Sequence, residues 1–204
     1  MDNPVCGTPL VYATKVSDGK TSRTVYKPIK VYPYRSLEGY MASMLMKTGV
    51  EDLLETCWQV IESDARWHDL MDAPAIREFC GPDGRTPFSV QKNGELHLIF
   101  SLYIDWFNPH TNKKGGKSHS IGGIYLACLG LPPHLRFRPE YMCLVGVIPG
   151  PKEPSLTDIN HFLRPLVDEL LVFWHQGVFF PETAKRGTFG RVVRAVVIPL
   201  VCDL

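Results

Sequence analysis

The stretch Leu96-His97-Leu98-Ile99-Phe100-Ser101-Leu102-Tyr103-Ile104-Asp105 decides the fold. Leu96, Leu98, Phe100, Leu102 and Ile104 alternate with His97, Ile99, Ser101 and Tyr103, the period of two expected of a strand with a preferred core face. An acid closes it. Working outward, Asn112-Lys113-Lys114-Gly115-Gly116-Lys117 reads as a hairpin turn. A second strand candidate follows at 120–129 and, past Pro132-Pro133, a third at 142–148. Ser155 and Asp158 offer a helix start, and Leu156, Ile159, Leu163, Leu166, Leu170 and Trp174 lie on one stripe of a helix over 156–174. Pro165 inside it implies a cost of about 3 kcal/mol or a kink. Arg191 to Cys202 is nearly continuous Val, Ile and Leu, as in a strand buried on both faces, and Asp203 comes next. Three meander strands, a crossover helix and a strand returning parallel to the first define an α/β core of order β-β-β-α-β over 95–204.

Upstream the periods change. Leu37, Tyr40, Met41, Met44 and Leu45 recur at helical spacing, Gly49 reads as a stop, and Val50, Leu53, Leu54, Cys57, Trp58 and Ile61 form a second stripe. Thr48 and Glu51 have the spacing of a capping box. A helical hairpin over 36–70 is therefore expected. Residues 71–94, with Pro74, Gly81-Pro82, Gly84, Pro87 and Asn93-Gly94, carry too many breakers for a long element and read as a linker. Residues 1–35 read as an irregular N-terminal segment.

The 204 residues hold 22 Lys and Arg against 21 Asp and Glu, with 45% hydrophobic residues, which is room for one domain with a proper core and excludes disorder throughout. A net charge of +1 excludes a polybasic tail, so any nucleic-acid contact must be local. The longest apolar run, 192–202, is broken by Arg194 and Pro199 and falls short of the roughly 20 residues of a spanning helix. No membrane segment is expected. The N-terminus has no secretory pattern, so a nuclear or cytoplasmic location is expected rather than export. Six cysteines without a Cys-x-x-Cys pair read as reduced thiols, several of them small core hydrophobes.

The order of elements carries the chemistry. Parallel neighbours bring their C-terminal ends together, which sets Asp105 and Asp203 side by side. Two adjacent carboxylates suit shared Mg²⁺ or Mn²⁺, and two such ions about 3.5–4 Å apart activate a water or hydroxyl and stabilise the leaving oxygen of a phosphodiester. An isolated Asp at a strand end is more often a turn residue; only the topology lifts these two. Pro199 raises a difficulty, because proline in a central strand removes a ladder donor. Either a bulge occurs there or the strand stops at Ile198 and Asp203 falls on a loop.

The runs Ile104-Asp105-Trp106-Phe107-Asn108-Pro109, Pro132-Pro133, Ile148-Pro149-Gly150-Pro151, Phe162-Leu163-Arg164-Pro165-Leu166 and Pro199-Leu200-Val201-Cys202-Asp203-Leu204 together resemble the CACTA-type (En/Spm-like) DNA transposases, in particular their fungal branch. The resemblance covers about residues 95–204, with a looser likeness around Cys6-Gly7-Thr8-Pro9-Leu10. It implies an RNase H-like catalytic fold with three metal-holding acids, which uses Mg²⁺ or Mn²⁺ to cut transposon ends and join them to target DNA. The family's first acid falls on Asp105 and its second on Asp203. The third lies downstream in the family, and this sequence ends one residue after Asp203. The expectation is therefore a truncated RNase H-like core preceded by a small helical region, inactive alone, with transposon-end DNA, a full-length transposase or a second copy as partners. A non-catalytic DNA- or protein-interaction module is the alternative.

Lys113, Lys114 and Lys117, with His119 nearby, and the set Lys185, Arg186, Arg191 and Arg194 are candidate phosphate contacts, as are Arg136 and Arg138; solvated surface charge is the default for each. Trp106 and Phe107 are candidates for stacking a base, with core packing the alternative. His161 and His175 read as capping or interface residues rather than ligands. A sheet ending at the fourth strand is expected to expose an apolar edge and to aggregate.

Overall fold

In the computed structural model, residues 9–59, 67–92, 94–109 and 120–201 are described. The expected α/β core is present. Strands β3 (Leu96–Phe107), β4 (Ile121–Cys128) and β5 (Met142–Ile148) form an antiparallel meander, the helix α5 (Ile159–His175) follows, and β7 (Arg191–Val201) returns parallel to β3. A three-residue strand, β6 (Val178–Phe180), pairs antiparallel with the start of β7 and completes a five-stranded sheet of order β5-β4-β3-β7-β6. No periodicity marks this strand, which follows Gly177 and spans only Val178–Phe180. Gly190 makes the turn between them possible: its φ is +60°, and a Cβ there would come within 2.2 Å of the Phe180 carbonyl oxygen.

β3 is central, and its burial is graded along its length. Its first six residues are buried on both faces, after which exposure rises toward Phe107. The even-numbered residues Leu96, Leu98 and Phe100 pack with Leu37, Met41 and Met44 of α1 (Leu37–Leu45) and with Leu166 and Phe173 of α5. Ile99, on the other face, packs with Met71, Ile76, Phe88 and Leu129, flanked by Trp58, Phe79, Trp174, Val196 and Ile198. The stretch 71–94 is thus no linker. It holds only short pieces, a 3-10 turn (Leu70–Asp72) and α3 (Pro74–Arg77), as its breakers require. Yet it forms the second layer over the sheet, with Phe88 fully buried and stacked on His97 at 4.8 Å between ring centroids. Local breakers forbid long elements, but they do not forbid a single aromatic anchor from burying its area.

Two helices lie within the stretch where a helical hairpin is expected, although residues 60–66 of that stretch lie outside the described residues. Ser36 caps α1 by accepting from the Gly39 N–H at 3.0 Å, and Glu169 of α5 accepts from the Leu37 and Glu38 N–H groups at 2.6 and 3.2 Å. Helix α2 (Val50–Thr56) starts instead from Gly49 at φ +80°, with no side-chain cap, so Thr48 makes no capping box. Ile61 lies outside the described residues. Leu156, expected on the α5 stripe, is 92% exposed because the helix begins after it, while the helix runs through Pro165.

The N-terminal segment is not irregular. β1 (Val11–Ser17) and β2 (Ser22–Pro28) form a separate antiparallel ribbon around the Asp18-Gly19 turn. After it, Tyr34 bridges to Gly146 at the outer edge of β5, so that edge is partly covered. At the opposite edge, β6 covers β7 only as far as Val193, no described residue pairs with the side of β7 away from β3 beyond that point, and Leu200 and Val201 are exposed. That matches the expected apolar edge.

Candidate functional site

The question posed by Pro199 is answered by the register. β7 continues through Pro199 to Val201, and its pairing with β3 shifts between Phe100, opposite Val197, and Leu102, opposite Leu200. The irregularity absorbs the missing donor, as bulges do. Beyond it the two strands stay paired and parallel, with Tyr103 opposite Val201 as the last described pair.

Asp105 lies two residues past Tyr103, in the exposed part of β3. One carboxylate oxygen accepts from the Trp106 N–H at 2.8 Å, and no described cation pairs with it. Across the strand it faces Gly123, which has no side chain. The Tyr125 ring lies over that glycine, within 2.4–2.6 Å of where a Cβ would stand, and the Trp106 ring lies over Gly122 in the same way. The two glycines leave room for one aromatic ring on each face of the sheet, Tyr125 over Gly123 and Trp106 over Gly122. Sequence reading missed Gly123 and Tyr125; the signal was the Gly122-Gly123 pair inside a strand, a mark of close approach by another group. Trp106 packs on the apolar core, whereas Phe107 is 48% exposed, so the two aromatics next to Asp105 have different fates.

Asp203 lies outside the described residues, as do Lys113, Lys114, Lys117 and His119. Among the described residues no three His, Cys, Asp or Glu side chains gather to hold a metal ion. What Asp105 offers a hard cation is one exposed carboxylate near the end of the central strand, with no ion-pair partner among the described residues.

The candidate phosphate contacts near β7 have internal partners instead. The Arg191 side chain is 2% exposed and donates to Glu51 at 2.8 Å, to Glu55 at 2.6 Å and to the Gly94 carbonyl at 2.9 Å. Arg194 pairs with Glu95 at 2.7 Å and donates to the Trp174 and His175 carbonyls. Lys185 pairs with Asp52 at 2.7 Å and with Glu55, and Arg186 approaches Glu55 at 3.6 Å. Arg136, too, is buried, on Asp69 and the Leu129 and Leu131 carbonyls. In this structure these cations join the helical hairpin and the 71–94 layer to the sheet. Burying an unpaired guanidinium costs several kcal/mol, so each needs such partners.

At the other end of β3 a cleft of about 290 Å³ is lined by residues that include Lys92, Glu95, His97, His175 and Arg194. His97 is buried, with Nδ1 2.7 Å from the Phe88 carbonyl and Nε2 3.1 Å from Glu95. His175 closes α5 and His161 is exposed near its start.

The described residues form a mixed α/β sheet with one exposed acid, Asp105, near the end of its central strand, next to a parallel neighbour. The chain belongs to the Transposase family tnp2, whose family model matches residues 83–204. No curated protein matches it. Among the described residues no helix is long and apolar enough to cross a membrane.

Proposed function

We propose that residues 95–204 are part of the catalytic core of a DDE-type DNA transposase of the CACTA kind, fungal branch, in which Asp105 and Asp203 hold Mg²⁺ or Mn²⁺ for cleavage and strand transfer at transposon ends. The parallel pairing of β3 and β7 beyond Pro199 carries this reading. Each acid follows its own half of the Tyr103–Val201 pair by two residues, and neighbouring parallel strands advance together. The reading takes Asp203 to share the end of the sheet that Asp105 occupies. Shared divalent ions would supply an activated water or hydroxyl and a stabilised leaving oxygen. On the other neighbour Asp105 faces Gly123, over which the Tyr125 ring lies.

Substituting Fe²⁺ for the native ion and adding ascorbate and peroxide tests the pair directly, since hydroxyl radicals cut the backbone next to a bound iron. Cuts at both 105 and 203, competed by Mg²⁺ and lost in Asp105→Asn and in Asp203→Asn, are expected. Cuts that miss either position, or that survive both substitutions, overturn the shared site.

A further inference from the structure

The β1–β2 ribbon has no packing role in the body of the protein. Twelve of its 14 strand residues are exposed, only Thr14 and Val25 being half-buried, and neither strand contributes a side chain to either apolar cluster. A two-stranded ribbon without a buried face gains little from its own folding. Its charge is also unlike the rest. Residues 11–30 hold five of the chain's 22 Lys and Arg and one of its 21 Asp and Glu, which leaves 17 cations against 20 acids elsewhere. The chain's near-neutral total conceals a concentrated basic arm.

The lone acid of the arm is committed to its turn. Asp18 accepts from the Lys20 and Thr21 N–H groups at 3.0 and 2.7 Å and from the Thr21 hydroxyl. These bonds, the Thr21 N–H foremost, hold its carboxyl below the usual range. Lys30, at the base, donates to the Gly150 carbonyl at 2.8 Å. Lys15, Lys20, Arg23 and Lys27 make no ion pair with any described acid, whereas Arg136, Lys185, Arg191 and Arg194 in the body all do. The register puts Arg23 opposite Val16 and Lys27 opposite Tyr12, on one face, and Lys15 opposite Thr24 on the other, with Lys20 in the turn at the tip. Cations thus stand on both faces and at the end.

We propose that the β1–β2 ribbon is a duplex-DNA-binding arm, with Lys15, Lys20, Arg23 and Lys27 on backbone phosphates. Charge complementarity selects the occupant: four unpaired cations on an exposed, narrow element match the regular phosphates of a duplex. Seven residues per strand give a length of about 23 Å, and two strands about 5 Å apart are narrow enough for a major groove about 12 Å wide. The hydroxyls of Thr14, Ser17, Ser22 and Thr24 add neutral donors of the kind that position a protein on phosphate without reading sequence. The choice of DNA rests on the transposase reading; the arm itself is independent of Asp105 and of any metal.

The test is fluorescence anisotropy of a short labelled duplex in EDTA across a salt series, with the full chain. Replacing Lys15, Lys20, Arg23 and Lys27 together by Ala is expected to weaken binding by about tenfold or more at low salt. It should also reduce the slope of log K against log salt by about three to four, at roughly 0.9 per phosphate contact. Exchanging Lys for Arg and Arg for Lys at the same positions should keep wild-type affinity, and Lys20→Glu alone, in an exposed turn, should weaken binding. Asp105→Asn should bind as wild type, which separates this arm from the metal site. Unchanged affinity and slope in the alanine variant, or wild-type protein that binds polyglutamate as tightly as the duplex, would overturn the proposal.

Discussion

The sheet and the ribbon use the same residue types to opposite ends. Around the sheet, every described arginine that touches β7 is enclosed: Arg191 between Glu51 and Glu55, Arg194 on Glu95 and two carbonyls. On the ribbon, Arg23 and three lysines stand in water with no acid partner among the described residues. The difference lies in what surrounds them. Low-dielectric packing makes an unpaired charge costly, so the core recruits partners, while solvent tolerates charges that then remain free for a polyanion.

Removing the central ion pair should have the largest effect on this contrast. Arg191→Ala leaves Glu51, 2% exposed, without its guanidinium, and a loss of about 3–5 kcal/mol in denaturant unfolding is expected. A loss below 1 kcal/mol would show Arg191 to be a surface cation after all. Phe88→Ala comes next, at about 3–5 kcal/mol if 71–94 is a true core layer. A change like that of an exposed residue would return the stretch to a linker.

In the body, acid should act through the carboxylates that the buried cations hold. Burial pushes the Glu55 carboxyl up, but hydrogen bonds from Lys185 and Arg191 outweigh it and hold it below its ordinary 4.5. The Arg194 guanidinium, against burial, lowers Glu95 in the same sense. Groups so lowered contribute stability that is fully present above the ordinary value and is lost as pH falls through the lower folded one. A melting temperature that declines as pH drops below about 4.5, more steeply in wild type than in Glu55→Gln, is the expected result. Equal slopes would remove Glu55 from the network.

The smallest effect belongs to the ribbon. Its four-alanine variant should unfold within about 0.5 kcal/mol of wild type, because the side chains removed touch no core. A larger loss would mean that the arm packs on the body. A chemical counterpart concerns the thiols. Burial pushes Cys57, Cys128 and Cys143 up to about 12, so native alkylation should spare them and modify exposed Cys80.

Much of this was legible before any coordinates. The alternation from Leu96 to Ile104, the helical stripe ending at Trp174 and the Val-rich run from Arg191 place the four main strands and the crossover helix within a few residues. Periodicity is strong there because each element buries one side against the rest. Periodicity says nothing where a residue acts singly. Phe88 among breakers, His97 on a nominally second face and Gly123 beside Asp105 each take their role from a neighbour distant in sequence. The ribbon escaped for another reason. Its strands bury no face, so Val11, Tyr12 and Val16 read as scattered residues rather than an alternating pattern.

The sequence by itself determined the order of the main elements and the place of Asp105 late in the first core strand, since local period and turn chemistry depend on neighbours along the chain. It also determined that any nucleic-acid contact must be confined to a small region, from near-neutral net charge. Tertiary structure alone decided that β7 passes Pro199 by an irregularity and remains parallel to β3. It likewise decided which cations are enclosed and which are free. Both outcomes depend on packing between segments more than ninety residues apart, such as Leu102 with Leu200 and Glu51 with Arg191, where burial sets the cost of a missing hydrogen bond or an unpaired charge.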